Sequence, residues 1–160
     1  MWNKILIVCA MLLLPAVLFA GDVDSKRDRA DQQTNGAFSL EQYRDKVVLI
    51  DFWASWCGPC RETFPWLNKM QQKYQALGFE VVGINIDEDR SQAELFLSKV
   101  PADFTIAYDP EGKLAKEYDL QGMPASYLID REGRVIKSHV GFFESETEMR
   151  ESEIKQALKQ

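Results

Sequence analysis

Residues 47–67, VVLIDFWASWCGPCRETFPWL, constrain this chain more tightly than any other stretch. An apolar run leads directly into Cys57-Gly58-Pro59-Cys60, and apolar residues then recur with a helical period. The pattern predicts two thiols placed where a buried strand hands over to a helix N-terminus. Cysteines at i and i+3 on a first helical turn share a face, with Cα atoms close enough for a disulfide. The first can then react while the second resolves. Cys57, at the helix start, is expected to meet unpaired N–H groups and the positive end of the macrodipole, which favour a thiolate over a thiol. Its pKa is therefore expected below the free value of about 8.5. Cys60, one turn further in, is expected to be more buried and less acidic. Pro59 suits an early helical position, where its missing N–H would lack a partner anyway, and Gly58 lets the backbone approach a partner protein closely.

The remaining chain alternates strand and helix patterns. Residues 38–43 predict a helical turn capped by Ser39, and residues 47–52 a strand buried on both faces. From Cys60 the stripe Phe64, Leu67, Met70, Tyr74 and Leu77 predicts one long helix, kinked at Pro65 and closed by Gly78. Residues 79–86 read as a second buried strand. Ser91 with Glu94 then forms a capping box for a helix that Pro101 stops. A short strand at 104–108, a turn at 109–112 and a short helix at 113–118 follow. Strands at 125–129 and 134–140 make an antiparallel hairpin through residues 130–133. Ser145 with Glu148 caps a last helix, sparsely apolar at Met149, Ile154 and Leu158, whose acidic surface reads as a solvated face. This order predicts an α/β domain with parallel crossovers.

At 160 residues, 46% hydrophobic and 28% charged, the chain is long enough for one domain with a full core. A net charge of -6 with no Lys/Arg block argues against a phosphate-binding surface, and so against a nucleic-acid partner. Residues 1–20 have a short basic start, an apolar run and small residues at Ala20-Gly21, the pattern of a secretory signal. Leu18 occupies a position where a signal prefers a small residue, so an uncleaved anchor is the alternative. About 16 apolar residues broken by Pro15 are short against the roughly 20 that span a bilayer. Both readings put the folded part outside the cytoplasm, in the periplasm. Residues 21–36 read as a flexible polar lead and 37–160 as the domain. Cys9 belongs to the apolar start, where it serves as a small apolar residue.

Asp51-Phe52-Trp53-Ala54-Ser55-Trp56-Cys57-Gly58-Pro59-Cys60, Pro65 and Gly122-Met123-Pro124 together resemble the thioredoxin superfamily over residues 37–160. The secretory start, the CRETFPWL and GMPASYLID runs, and the additional helix and strand between Ser91 and Tyr108 resemble its TlpA/ResA/CcmG-like branch of extracytoplasmic thiol:disulfide oxidoreductases. The resemblance implies a thioredoxin-like fold: a central mixed sheet flanked by helices, with that extra helix and strand inserted before a cis-proline. It implies that Cys57 attacks a substrate disulfide and Cys60 resolves the mixed disulfide, with no cofactor beyond the Cys57-Cys60 pair. Pro124 matches the family's cis-proline, so Met123 would touch both sulfur and substrate, with Trp56 shielding the disulfide and Trp53 packed beside it. Asp51 matches the buried acid that takes the Cys60 proton, although the lysine that accompanies it in thioredoxin is replaced by Gly83. Gly-Pro between the thiols resembles reducing thioredoxins. A reductase in an oxidising compartment needs a membrane electron donor, of the DsbD/CcdA type. Its partners would be protein thiols and disulfides, apocytochrome c among them, met by a monomer.

Other readings of the same residues are less well supported. Half of a zinc site needs further ligands, and His139 is the one additional strong donor in the mature chain. A purely structural disulfide across so short a loop would restrict the unfolded chain little. For Asp51 the plain alternative is a strand-end carboxylate reached by water. A copper-binding chaperone on the same fold would want soft thiolates near a histidine, and its relatives space their cysteines as CxxxC. A peroxidase would want a Thr-x-x-Cys arrangement.

Overall fold

The computed structural model describes residues 38–160. The expected signal or anchor, the polar lead and Cys9 lie outside the described residues. Among the described residues no helix is long and apolar enough to cross a membrane.

The first strand, β1 (Val47–Trp53), is buried at every position. Its apolar and aromatic side chains suit a strand covered on both faces. Parallel to it runs β2 (Phe79–Asn85), and parallel to β2 runs β3 (Thr105–Tyr108). On the opposite side β4 (Ala125–Ile129) pairs antiparallel with β1, and β5 (Val135–Val140) pairs antiparallel with β4. The result is a five-stranded mixed sheet in the order β3-β2-β1-β4-β5, with β1 at its centre. Four helices surround it: α1 (Cys60–Tyr74), α2 (Arg90–Leu97), α3 (Lys113–Glu117) and α4 (Thr147–Ala157). The expected insertion, α2 and β3, precedes the proline loop and supplies the edge of the sheet.

Strand side chains alternate between two faces. Val47, Leu49 and Trp53 of β1 join Phe79 and Val81 of β2 under Phe64, Leu67 and Met70 of α1 and Ile154 of α4. Val48, Ile50 and Phe52, with Val82 and Ile84, pack instead against Leu114 and Tyr118 around α3 and against Leu40 and Tyr43 of the 3-10 turn Leu40–Tyr43. Ser39 caps that turn as expected, accepting from the Glu41 N–H. Gly78, at φ 85°, closes the end of the α1 segment in the left-handed conformation that glycine adopts at low cost.

Three local expectations need correction. Pro59 stands at the N-cap of α1, so Cys57 lies in the turn before the helix and not on its first turn, while Pro65 lies inside the helix as expected. Asp89, not Ser91, caps α2: its carboxylate accepts the Ser91 N–H at 2.9 Å and the Ser91 hydroxyl at 2.8 Å. A short acid two residues earlier satisfies two donors at once, which leaves Ser91 inside the helix and Glu94 paired with Arg90. Finally, α4 has no side-chain cap at its start, because Ser145 lies within the 3-10 turn Glu144–Glu146. Its buried stripe is Arg150, Ile154 and Ala157, while Met149, expected on the apolar side, is 43% exposed.

Candidate active site

The central strand leaves the sheet at Trp53 and delivers the chain to Cys57 within a few residues. A buried carboxylate holds that passage in place. Asp87, just past β2, accepts the Ser55 N–H and the Ser55 hydroxyl, each at 2.9 Å, and the Asn85 side-chain amide at 2.7 Å. Asn85 in turn accepts the Asp87 N–H at 3.1 Å. Charge-assisted bonds of this kind are worth more than neutral ones, and here they fasten the residues just ahead of the cysteines to the end of the neighbouring strand.

Cys57 and Cys60 are joined in a disulfide with Cα atoms 5.3 Å apart. The Cys60 N–H donates to Cys57 Sγ at 3.2 Å, so the sulfur caps a donor of the first turn of α1. Cys60 is fully buried and Cys57 6% exposed, so Cys60 is the more buried of the two, as expected. What reaches solvent is Trp56, at 70%, together with Gly58 and Pro59. An open cleft of about 480 Å³ is lined by Trp56, Cys57, Gly58, Pro59, Leu120, Gln121, Gly122 and Met123. The Met123-Pro124 peptide bond is cis. The fold thus brings together the residues that the sequence placed in separate motifs, with the Pro124 carbonyl held by the Gly141 N–H at 2.7 Å. Trp53 belongs to the same buried cluster as Cys57 and Cys60, between Phe64 and Phe96 at ring distances of 5.2 and 5.0 Å.

Asp51 lies on the sheet face that α1 and α4 cover, between Leu49 and Trp53, and none of its surface is accessible. It is not a strand-end carboxylate in contact with water. The strand register sets Ile106, Gly83, Asp51, Ser126 and His139 in one row across the sheet. Ser126, directly opposite on β4, donates its hydroxyl to Asp51 Oδ2 at 2.8 Å, while Oδ1 has no hydrogen-bond partner. Burial pushes the carboxyl up to about 7, against the Ser126 hydroxyl and the Arg150 charge, both of which pull it down. A carboxyl so tuned can hold or release a proton near neutral pH.

The redoxin family profile matches residues 22–158. The chain belongs to the redoxin family. It is 51% identical to a Chlorobium tepidum protein assigned as thiol:disulfide interchange protein DsbE, whose crystal structure superposes with a TM-score of 0.73 over 74% of this chain and 84% of that one. StoA from Bacillus subtilis is 25% identical, with a TM-score of 0.58 over 67% of this chain and 84% of that one. The thiol-disulfide oxidoreductase ResA of Bacillus thuringiensis subsp. konkukian is 32% identical over 102 residues, 64% of this chain and 59% of that protein. The chain thus spans less than two thirds of the length of the curated relatives that it matches. These similarities place this redoxin in the ResA and DsbE-like branch of the thioredoxin superfamily, the branch that its sequence motifs resemble.

Gly83, the position that the resemblance pairs with the lysine of thioredoxin, is closely surrounded. A Cβ on Gly83 would lie 2.9 Å from Phe104 and 3.1 Å from both Ile106 and Trp53 Nε1. Side chains from the inserted segment fill that space. His139 faces α4, where Glu153 holds its Nε2 at 2.7 Å. Among the described residues there is no group of three or more His, Cys, Asp or Glu arranged to hold a metal ion. Sequence reasoning missed Ser126, Asp87 and Arg150. The first two act through strand pairing and loop closure, which no local pattern encodes. Arg150 had a signal: it precedes Ile154 and Ala157 by four and seven residues, on the same helical stripe.

Proposed function

We propose that the chain is an extracytoplasmic thiol:disulfide oxidoreductase that reduces disulfides in protein substrates through Cys57 and Cys60. The observation that carries this reading is a disulfide at the floor of an open cleft, beside Met123, with a buried acid tuned to neutrality on the same sheet face. In the reduced chain, the Cys57 thiolate attacks one sulfur of a substrate disulfide. A Cys57–substrate bond forms, the substrate bond breaks, and the departing substrate sulfur takes a proton. Cys60 then gives its proton to Asp51 and attacks Cys57 Sγ. The Cys57–Cys60 bond closes, the second substrate thiol leaves, and two electrons have passed to the substrate. Trp56, Gly58, Pro59 and Met123 form the walls against which a substrate segment lies, and Pro124 fixes the loop that presents Met123.

Regeneration requires an incoming dithiol, supplied outside the cytoplasm by a membrane donor of the DsbD/CcdA type. Residues 1–20 serve as the export signal or anchor. The likeness to a ResA and to a protein assigned as DsbE supports substrates whose paired thiols must be kept reduced, apocytochrome c foremost among them. Replacing Cys60 by Ser removes the resolving thiol and is expected to leave substrates captured on Cys57 in the native compartment. Captured proteins rich in CxxCH support cytochrome maturation, and a broad set supports general reduction. Capture of no protein by a Cys57 that still reacts with small thiol probes contradicts a protein substrate.

A further inference from the structure

A cation remains that the exchange steps do not use. Arg150, on α4, is 4% exposed, among the least accessible charges in the described chain. Its Nη2 donates to the Gly141 carbonyl at 2.9 Å and to Glu146 at 2.8 Å, and its guanidinium carbon lies 5.7 Å from the centre of the Phe142 ring. Its Nε and Nη1 are buried without a partner. Five buried side-chain atoms among the described residues lack a hydrogen-bond partner, and three of these belong to Arg150 and Asp51: two donors and one acceptor. Gly141 links Arg150 to the proline loop, because its N–H donates to the Pro124 carbonyl, two residues before the Ser126 that holds Asp51.

A buried guanidinium with open donors is expensive unless an anion answers it. Glu146, in the 3-10 turn just before α4, answers part of the charge. On the sheet face that the buried stripe of α4 covers, Asp51 is a buried carboxylate with one oxygen left open, and the Arg150 charge favours its charged form. The other elements around Asp51 offer no second cation at that place. Gly83 of β2 has no side chain, Ser126 of β4 carries no charge, Cys60 of α1 is sulfur, and His139 of β5 is held by Glu153 of α4.

We propose that Arg150 is a positioning residue of the exchange site: the buried counter-cation of Asp51, supplied from α4 in place of a lysine on β2, which keeps Asp51 able to accept the Cys60 proton. The proposal rests on the exchange reading for its consequence, but not for its test. A carbon-13 NMR titration of the Asp51 carboxyl in the oxidised chain reads the pairing directly. It is chosen over activity alone because it reads the Asp51 carboxyl and no other group. Arg150→Met is expected to move the Asp51 midpoint up by about one pH unit, and Arg150→Lys to restore most of that shift. Glu146→Gln, which leaves Arg150 in place and less neutralised, is expected to move it down, and it decides the matter should Arg150→Met fail to fold.

Kinetics give the second readout. When the reduced chain reacts with a dithiobis-nitrobenzoate, the first thionitrobenzoate released reports attack by Cys57 and the second reports resolution by Cys60. On the acid limb, resolution in Arg150→Met is expected to slow about tenfold, with the loss recovered at higher pH. In an Asp51→Asn background the Arg150 substitution should leave the pH profile where it is. A purely structural Arg150 would instead lower the rate equally at all pH values, in both backgrounds. An unmoved Asp51 midpoint in folded Arg150→Met, or in Glu146→Gln, overturns the pairing. Absence of any second release from the unmodified chain would instead overturn the exchange reading, and the NMR titration would still judge Arg150.

Discussion

Under α3 and the Leu40–Tyr43 turn the strands bury only apolar side chains, Val48, Ile50, Phe52, Val82, Ile84 and Ile129, with Asp109 buried past the end of β3 where it accepts the Lys113 and Ala115 N–H groups of α3; under α1 and α4 the sheet buries Asp51, Gln71, Ser126 and Arg150 among its leucines and aromatics. Both faces belong to the same strands, so the difference is not one of architecture. The apolar face supplies transfer free energy, about 1.5–3 kcal/mol for each fully buried large side chain. The other face gives up part of that gain to keep a titratable acid away from water, in the layer where α1 places the cysteines. Buried polar groups are tolerated there because a hydrogen bond or a counter-charge meets most of them. The comparison teaches that the proton chemistry is paid for by the face that carries none.

Three substitutions would break or sharpen that contrast. Phe52→Ala on the apolar face is expected to cost about 3–5 kcal/mol in urea unfolding, since Phe52 is fully enclosed between Tyr118 and Tyr127, and to leave the Asp51 titration unmoved. Asp51→Asn on the opposite face should act with the reverse sign. Its carboxyl titrates near 7 when folded but near 3.9 when unfolded, so the folded state binds the proton more tightly over that window. The associated stability is complete below about pH 4 and is lost as pH rises through about 7. The unsubstituted chain should therefore weaken between those limits by about 4 kcal/mol at most, and Asp51→Asn should be the more stable protein above pH 7, with the advantage fading toward pH 4. Unfolding curves across this range check it. Gly83→Ala, beside Asp51, is expected to cost about 1–3 kcal/mol by crowding Phe104 and Ile106, which chemical denaturation would measure.

Much of the scaffold is legible in the sequence because it is encoded locally. The strand at residues 125–129 emerges with the bounds read from the Pro and Asp that flank it, and the buried run before Cys57 extends by one residue to Trp53. The CGPC spacing and the proline loop announce themselves as motifs, so Cys57, Cys60, Met123 and Pro124 could be named in advance. The arrangement around them could not. That Asp51 is sealed from water depends on Ser126 arriving opposite it, 75 residues later, and on a helix whose acidic surface suggested solvent. The caps of α2 and α4 went astray for a related reason: Asp89 and Ser145 both have side chains suited to capping, and only the path of the incoming chain decides which one does so.

The whole account turns on whether the Cys57–Cys60 bond opens and closes while the fold stays intact. Equilibrating the folded chain with graded ratios of reduced and oxidised dithiothreitol, and counting alkylated cysteines by mass, measures this directly. The account predicts a reversible two-electron transition at Cys57 and Cys60 with native secondary structure retained at both ends. A disulfide that yields to the reductant only when the protein unfolds would contradict it.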